Sequence, residues 1–125
     1  CPNFTGTYRD ASDIEAPLEI IEQTRCESIT IGTIGTTGIE TDGVFRALNN
    51  EPFDSEVISA QFTQNSLSLT SISFMQRAEE DASPWRTRTR VLTLDSDQNI
   101  HQKDVARDVF GKVISERESL LKRLP

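Results

Sequence analysis

A lone histidine, His101, is all that this chain has. A histidine-rich metal site is therefore excluded, and a serine triad built on it would lack any Gly-x-Ser-x-Gly elbow. No apolar run approaches the 18 or so residues that a spanning helix needs. Cationic charge is also short, with 13 basic against 20 acidic residues and a net charge of −7. Residues 1–62 hold eleven acids and three arginines, a net of −8; residues 63–125 hold nine acids and ten bases, a net of +1. That balance argues against a nucleic-acid partner, and no basic run is long enough to draw the chain to anionic lipid. No glycine-rich phosphate loop opens a helix. Asp95-Ser96-Asp97-Gln98-Asn99 imitates the start of a calcium loop. Ile100 and Ala106, however, stand where such a loop wants glycine and glutamate, so the run reads as a turn. An enzyme is disfavoured, and no cofactor or metal is expected.

Cysteine is scarce too, and its placement is informative. Cys1 opens the chain and Cys26 follows, as expected of an exported chain that begins after a removed signal peptide. A Cys1–Cys26 disulfide would staple the first strand to the second hairpin and contribute roughly 3 kcal/mol in the chain-entropy model. The competing expectation is a lipid anchor on Cys1, which would leave Cys26 unpaired in an oxidising compartment.

What remains is a succession of short alternating runs separated by turn residues. At 125 residues the chain suits one domain spanning 1–125. Phe4–Arg9 places Phe4, Gly6 and Tyr8 on one face of a first strand. Leu18–Glu22, Ser28–Ile34, Val44–Leu48, Val57–Thr63 and Leu67–Gln76 follow, then Trp85–Leu94, Ile100–Val105 and Val113–Leu124. Asp42-Gly43 reads as a primed hairpin turn. In the Leu67–Gln76 run the apolar residues change phase, from Leu67 and Leu69 to Ile72 and Phe74, which predicts a bulge near Thr70-Ser71. Glu79-Glu80-Asp81 belongs to a charged loop. Residues 113–124 include good helix formers, but alternation and Gly111 at the turn favour a strand. Eight to ten strands without a long crossover predict an all-β, antiparallel up-and-down barrel. Closure removes exposed edges, and the order of the cysteines before Trp85 does not fit an immunoglobulin sandwich.

Phe4-x-Gly6-x-Tyr8 resembles the opening motif of the calycin barrels, that is, lipocalins, fatty-acid-binding proteins and avidins. The cysteine just before it and Ser28-Ile29-Thr30-Ile31-Gly32 are similar to avidin-like chains. The resemblance implies a lipocalin-like barrel and a late-strand arginine, Arg123 or Arg90, packed on the first-strand aromatic. Tyrosine replaces the usual tryptophan, and Trp85 is the only tryptophan in the chain. The walls of a biotin pocket are thus missing, and no family binding residue is carried over.

The run Trp85–Leu94 holds the residues of most chemical interest. Arg86, Arg88 and Arg90 share one strand face with Leu92 and Leu94, opposite Trp85, Thr87, Thr89 and Val91. Pointing inward, the arginines would form a cationic ladder above an apolar floor, suited to an amphipathic anion. Pointing outward, they would pair with acids across strands, and this is the preferred orientation. The candidate lumen is lined by Phe4, Tyr8, Ile29, Ile31, Phe45, Phe62, Ile72, Phe74 and Trp85, with Arg88 and Arg90 at its mouth. The expected function is binding of a small apolar or amphipathic ligand in that lumen. The alternative is a filled barrel that serves as a structural module for a protein partner.

Overall fold

The computed structural model describes residues 1–32, 34–35, 38–50, 54–75 and 83–125. Among them there is no helix; ten antiparallel strands form one curled sheet. They are β1 (Gly6–Asp10), β2 (Glu19–Thr24), β3 (Ser28–Ile31), β4 (Ile39–Glu40) and β5 (Arg46–Asn50), then β6 (Asp54–Phe62), β7 (Ser66–Met75), β8 (Ser83–Leu94), β9 (Ile100–Asp108) and β10 (Val113–Arg123). The strand order β4-β3-β2-β1-β10-β9-β8-β7-β6-β5 is a meander whose first strand lies beside its last. Tyr8 stands opposite Arg123, and Asp10 opposite Leu121.

The outer ends of the sheet approach one another through the stretch after β4. Asp42 bridges Gln61, and the Gly43 amide donates to the Ala60 carbonyl at 2.9 Å. Asp42-Gly43 is therefore a kink rather than the expected hairpin turn. The chain leaves its pairing with β3, kinks at Gly43 (φ 78°), and resumes against β6 as β5. The Asp42 carboxylate holds the bend by accepting from the Val44 amide at 3.0 Å and from the Arg46 guanidinium at 2.7 and 2.8 Å.

The core fills one half of the barrel. Phe4, Tyr8, Ile21, Ile29, Ile31, Leu67, Leu92 and Ile100 are all but inaccessible, and each such side chain contributes about 1.5–3 kcal/mol on burial. Phe4 precedes β1 rather than lying in it, yet its ring stacks on Phe62 with centroids 6.2 Å apart. The Tyr8 hydroxyl donates to the Phe4 carbonyl at 2.7 Å, and burial raises the pKa of that phenol. Gln23 seals the same end: its side-chain oxygen accepts from the Phe4 amide at 2.9 Å, and its amide group donates to the carbonyls of Pro2 and Arg25. Cys1 and Cys26 are joined by a disulfide, Cα atoms 5.9 Å apart.

Arg123, not Arg90, is the arginine that packs on the first strand. Its guanidinium donates to the Thr5 carbonyl at 2.7 Å and crosses the face of Gly6. A methyl group on Gly6 would stand only 3.0 Å from Arg123 Nε and 3.3 Å from the Tyr8 ring, so any larger residue there would have to push Arg123 or the buried Tyr8 ring aside.

Candidate functional site

Every long strand changes character at about the same level as it crosses the barrel. Register makes this visible, because directly opposed residues share a face. On β8 the inner series runs Leu94, Leu92, Arg90, Arg88, Arg86; opposite it on β9 stand Ile100, Gln102, Asp104, Ala106, Asp108. On β10 the series continues as Leu121, Ser119, Arg117. β1 and β2 pass from Tyr8 and Ile21 to Asp10 and Glu19. β6 and β7 pass from Ile58 and Leu69 to Glu56, Ser71 and Ser73. The interior thus has an apolar, packed half and a polar, charged half.

Arg88 and Arg90 of β8 therefore stand on the inner face, contrary to the preferred outward orientation, while the Arg86 guanidinium turns onto Trp85. Arg88 is held there by an acid on the neighbouring strand. Arg88 Nε reaches the two carboxylate oxygens of Asp104 at 2.8 and 3.0 Å, and its Nη2 also bonds Asp104. The hydrogen bond from Arg88 holds the Asp104 carboxyl below its ordinary pKa and raises that of Arg88 in turn. Arg117 lies 3.2 Å from Asp10, whose pKa is lowered first by the Ser12 amide and hydroxyl and further by Arg117. Arg90 is the exception: burial, then the charge of Arg88, push its pKa down, opposed by Asp104 and Glu19.

Two spaces open here, on either side of Arg90. A recess of about 40 Å³ is lined by Ile34, Glu56, Ile58, Leu69, Ser71, Arg88 and Arg90. A wider mouth of about 280 Å³ is lined by Asp10, Pro17, Glu19, Arg90, Gln102, Arg117, Ser119 and Leu121. Arg90 belongs to both walls. The recess would accommodate roughly three waters, whereas small-molecule sites begin near ~300 Å³. A ligand therefore has space in the mouth, with at most a short apolar end in the recess.

The expected lumen residues divide accordingly. Phe4, Tyr8, Ile29 and Ile31 are buried and Phe62 packs against them, so they form the floor beneath the mouth. Arg88 and Arg90 stand in the mouth. Ile72 and Phe74 do not face inward. β6 and β7 stay in continuous register from Phe62–Leu67 to Ser55–Phe74, without a bulge at Thr70-Ser71, so Ile72 shares the outer face with Val57. The irregularity lies later, between Ser73 and Phe74, in the pairing with β8. Phe45 is 45% exposed after the kink, and Trp85 is 36% exposed on the face away from Arg88 and Arg90. The Arg86 guanidinium covers its ring, 4.6 Å from the centroid. His101 is an exposed side chain on the outer face, 3.0 Å from Asp95. Glu79, Glu80 and Asp81 lie outside the described residues.

Comparison with known proteins returns no match: no family model fits the chain, and neither curated proteins nor solved structures resemble it. The site must be read from its own chemistry. The residues missed in the sequence are Asp10, Glu19, Glu56, Gln102, Asp104, Arg117 and Ser119. Their signal was present as a repeated switch, on the inner faces of β1, β2, β6, β7, β8 and β10, from an apolar residue to a charged or hydroxyl one two positions on, and on β9 from Ile100 to Gln102.

Proposed function

We propose that the protein is a non-catalytic binding barrel for a small amphipathic anion, received in the charged mouth above a packed apolar floor. One observation carries the reading: Arg90 is a desolvated cation set in the wall common to the mouth and the recess. A carboxylate placed against it would recover the solvation that burial removes and would gain charge-assisted hydrogen bonds. Leu121 and Pro17 in the mouth, and Ile34, Ile58 and Leu69 in the recess, offer contact to a short hydrocarbon portion. The paired Arg88–Asp104 and Arg117–Asp10 groups would keep the other guanidinium groups in place and limit the site to one anionic head.

The reading departs from a lipid-filled lumen, because the apolar half is occupied by the protein's own side chains. Export fits the same reading and is supported by the Cys1–Cys26 disulfide, a bond that persists in oxidising compartments. Membership of the calycin barrels is supported by the packing of Arg123 across Gly6 beside Tyr8.

The test is native mass spectrometry of freshly purified protein, followed by calorimetric titration with short- and medium-chain carboxylates. A bound anion of low mass, or saturable binding of one carboxylate per chain, is expected. The substitution Arg90→Met should weaken it about 10- to 150-fold, the range for losing a hydrogen bond to a charged group. Equal binding by wild type and R90M, or none by either, would remove the proposal.

A further inference from the structure

The β9–β10 hairpin ends in a stiff turn with an apolar tip. Val109, Phe110, Val113 and Ile114 are 55, 91, 42 and 57% exposed. Gly111, at φ 83°, closes the turn, and its amide donates to the Asp108 carbonyl at 3.0 Å. The Asp108 carboxylate accepts from the amides of Phe110 and Lys112 at 2.9 and 3.0 Å, and the Asp108 amide donates to the Lys112 carbonyl at 2.9 Å. The apolar side chains are thus presented by a rigid backbone. They are not the surface of a floppy loop.

Cations border this tip on two sides. Arg107 and Lys112 flank it within the hairpin, and Arg86 stands opposite Asp108 on β8, next to Trp85. Among the described residues of the hairpin tip, the Asp108 carboxylate is already engaged by two amides. A convex apolar prong bordered by arginine and lysine, with a tryptophan at the same rim, has the chemistry of the membrane–water boundary. There the apolar tips enter the acyl region, the indole sits at headgroup level and long cationic side chains reach phosphates.

We propose that the β9–β10 tip docks the barrel onto a lipid bilayer by inserting Phe110 and its apolar neighbours into the interface. A protein partner would have to supply a pocket shaped to a protruding hairpin, whereas a bilayer accommodates a convex tip without one. The chain as a whole carries a net charge of −7, so attraction to lipid is confined to this rim. Insertion therefore works on zwitterionic lipid and does not depend on an anionic surface.

The experiment is flotation of the full chain with phosphatidylcholine vesicles, with and without a minority of phosphatidylglycerol, while the emission of Trp85 is recorded. Trp85 is the only tryptophan, so its spectrum reports on the rim alone. The expected result is co-flotation with both vesicles and a blue shift. Phe110→Ser should lower partitioning about tenfold or more, as expected for one buried aromatic ring, and Ile114→Ser should lower it less. Both positions are exposed, and an unchanged circular dichroism spectrum separates lost docking from lost folding. Absence of flotation with either vesicle would overturn the proposal, as would F110S and I114S both floating like wild type. So would capture of a protein that F110S abolishes while vesicles remain unbound.

Discussion

Arg90→Met should separate binding from stability. Most buried charges that are lost leave a partner stranded, and such losses cost about 3–5 kcal/mol. Arg90 differs, because its strongest environmental influences act against its own charge. Burial comes first, the neighbouring Arg88 second, and only then do Asp104 and Glu19 act in its favour. The depressed pKa means that folding disfavours the cation relative to the unfolded chain. Removing it releases that penalty. Asp104 keeps its bonds from Arg88, so that carboxylate is not left without a cation. Methionine preserves the apolar stem against Ile58 and Leu69 in the recess. The sum predicts a variant as stable as the parent or about 1 kcal/mol more stable, with binding at the mouth weakened. Urea unfolding with the disulfide intact gives the measurement, and an unchanged slope would show that the same surface is exposed. Leu92→Ala, at a fully buried position on the same strand, serves as a reference and should cost about 2–5 kcal/mol. If R90M lost more than about 2 kcal/mol, the arginine would be a structural member of the ion-pair network, and the reasoning from desolvation would fail.

Three further outcomes follow from the same geometry. The double substitution of Cys1 and Cys26 by serine opens a loop of sequence separation 25 and should cost about 3.5 kcal/mol by chain entropy, read as a lower urea midpoint. Tyr8→Phe keeps the ring but leaves the buried Phe4 carbonyl without its donor, a loss of about 1–3 kcal/mol in the same assay. The Asp104 carboxyl has a depressed folded pKa, so its contribution is present above the unfolded value near ~3.9 and is lost as pH falls through the folded one. Asp104→Asn should therefore flatten the acid limb of the stability–pH curve. At neutral pH it should cost about 1–2 kcal/mol, a figure kept low because the Arg88 side chain is 44% exposed to solvent.

The strands were legible because alternation is a direct imprint of the pleat. β10 was legible even against its helix formers, since Glu116, Glu118 and Leu120 point one way and Arg117, Ser119 and Leu121 the other. What misled the reading was the assumption that the inside is apolar along the whole barrel. Ile72 and Phe74 were turned inward, and the arginines outward, for that one reason. In the polar half the rule reverses: Ser71 and Ser73 face in, and Ile72 and Phe74 face out. β4 is only two residues long, and its role depends on Asp42 reaching Gln61 on β6, a pairing between distant segments that no local pattern contains. The packed floor was largely readable from Phe4, Tyr8, Ile29 and Ile31. The charged mouth was not, because its seven missed members come from β1, β2, β6, β9 and β10 and each looks like an ordinary surface residue in its own strand.

The seam between the first and last strands sets the order of assembly. Tyr8 meets Arg123 across 115 positions (123 − 8), and the Leu124 amide donates to the Thr7 carbonyl at 2.8 Å. Every other strand finds a partner close by in the chain, so the β6–β7, β7–β8, β8–β9 and β9–β10 hairpins can form early at little cost in loop entropy. The seam must wait for both ends. Until it zips, the floor lacks Phe4 and Tyr8, and the sheet holds a half-made core open along one side. Folding should thus be governed by a late, slow closure. A permuted chain whose ends are joined across that seam and reopened at an exposed turn would make its slowest contact local, and should fold faster to the same barrel.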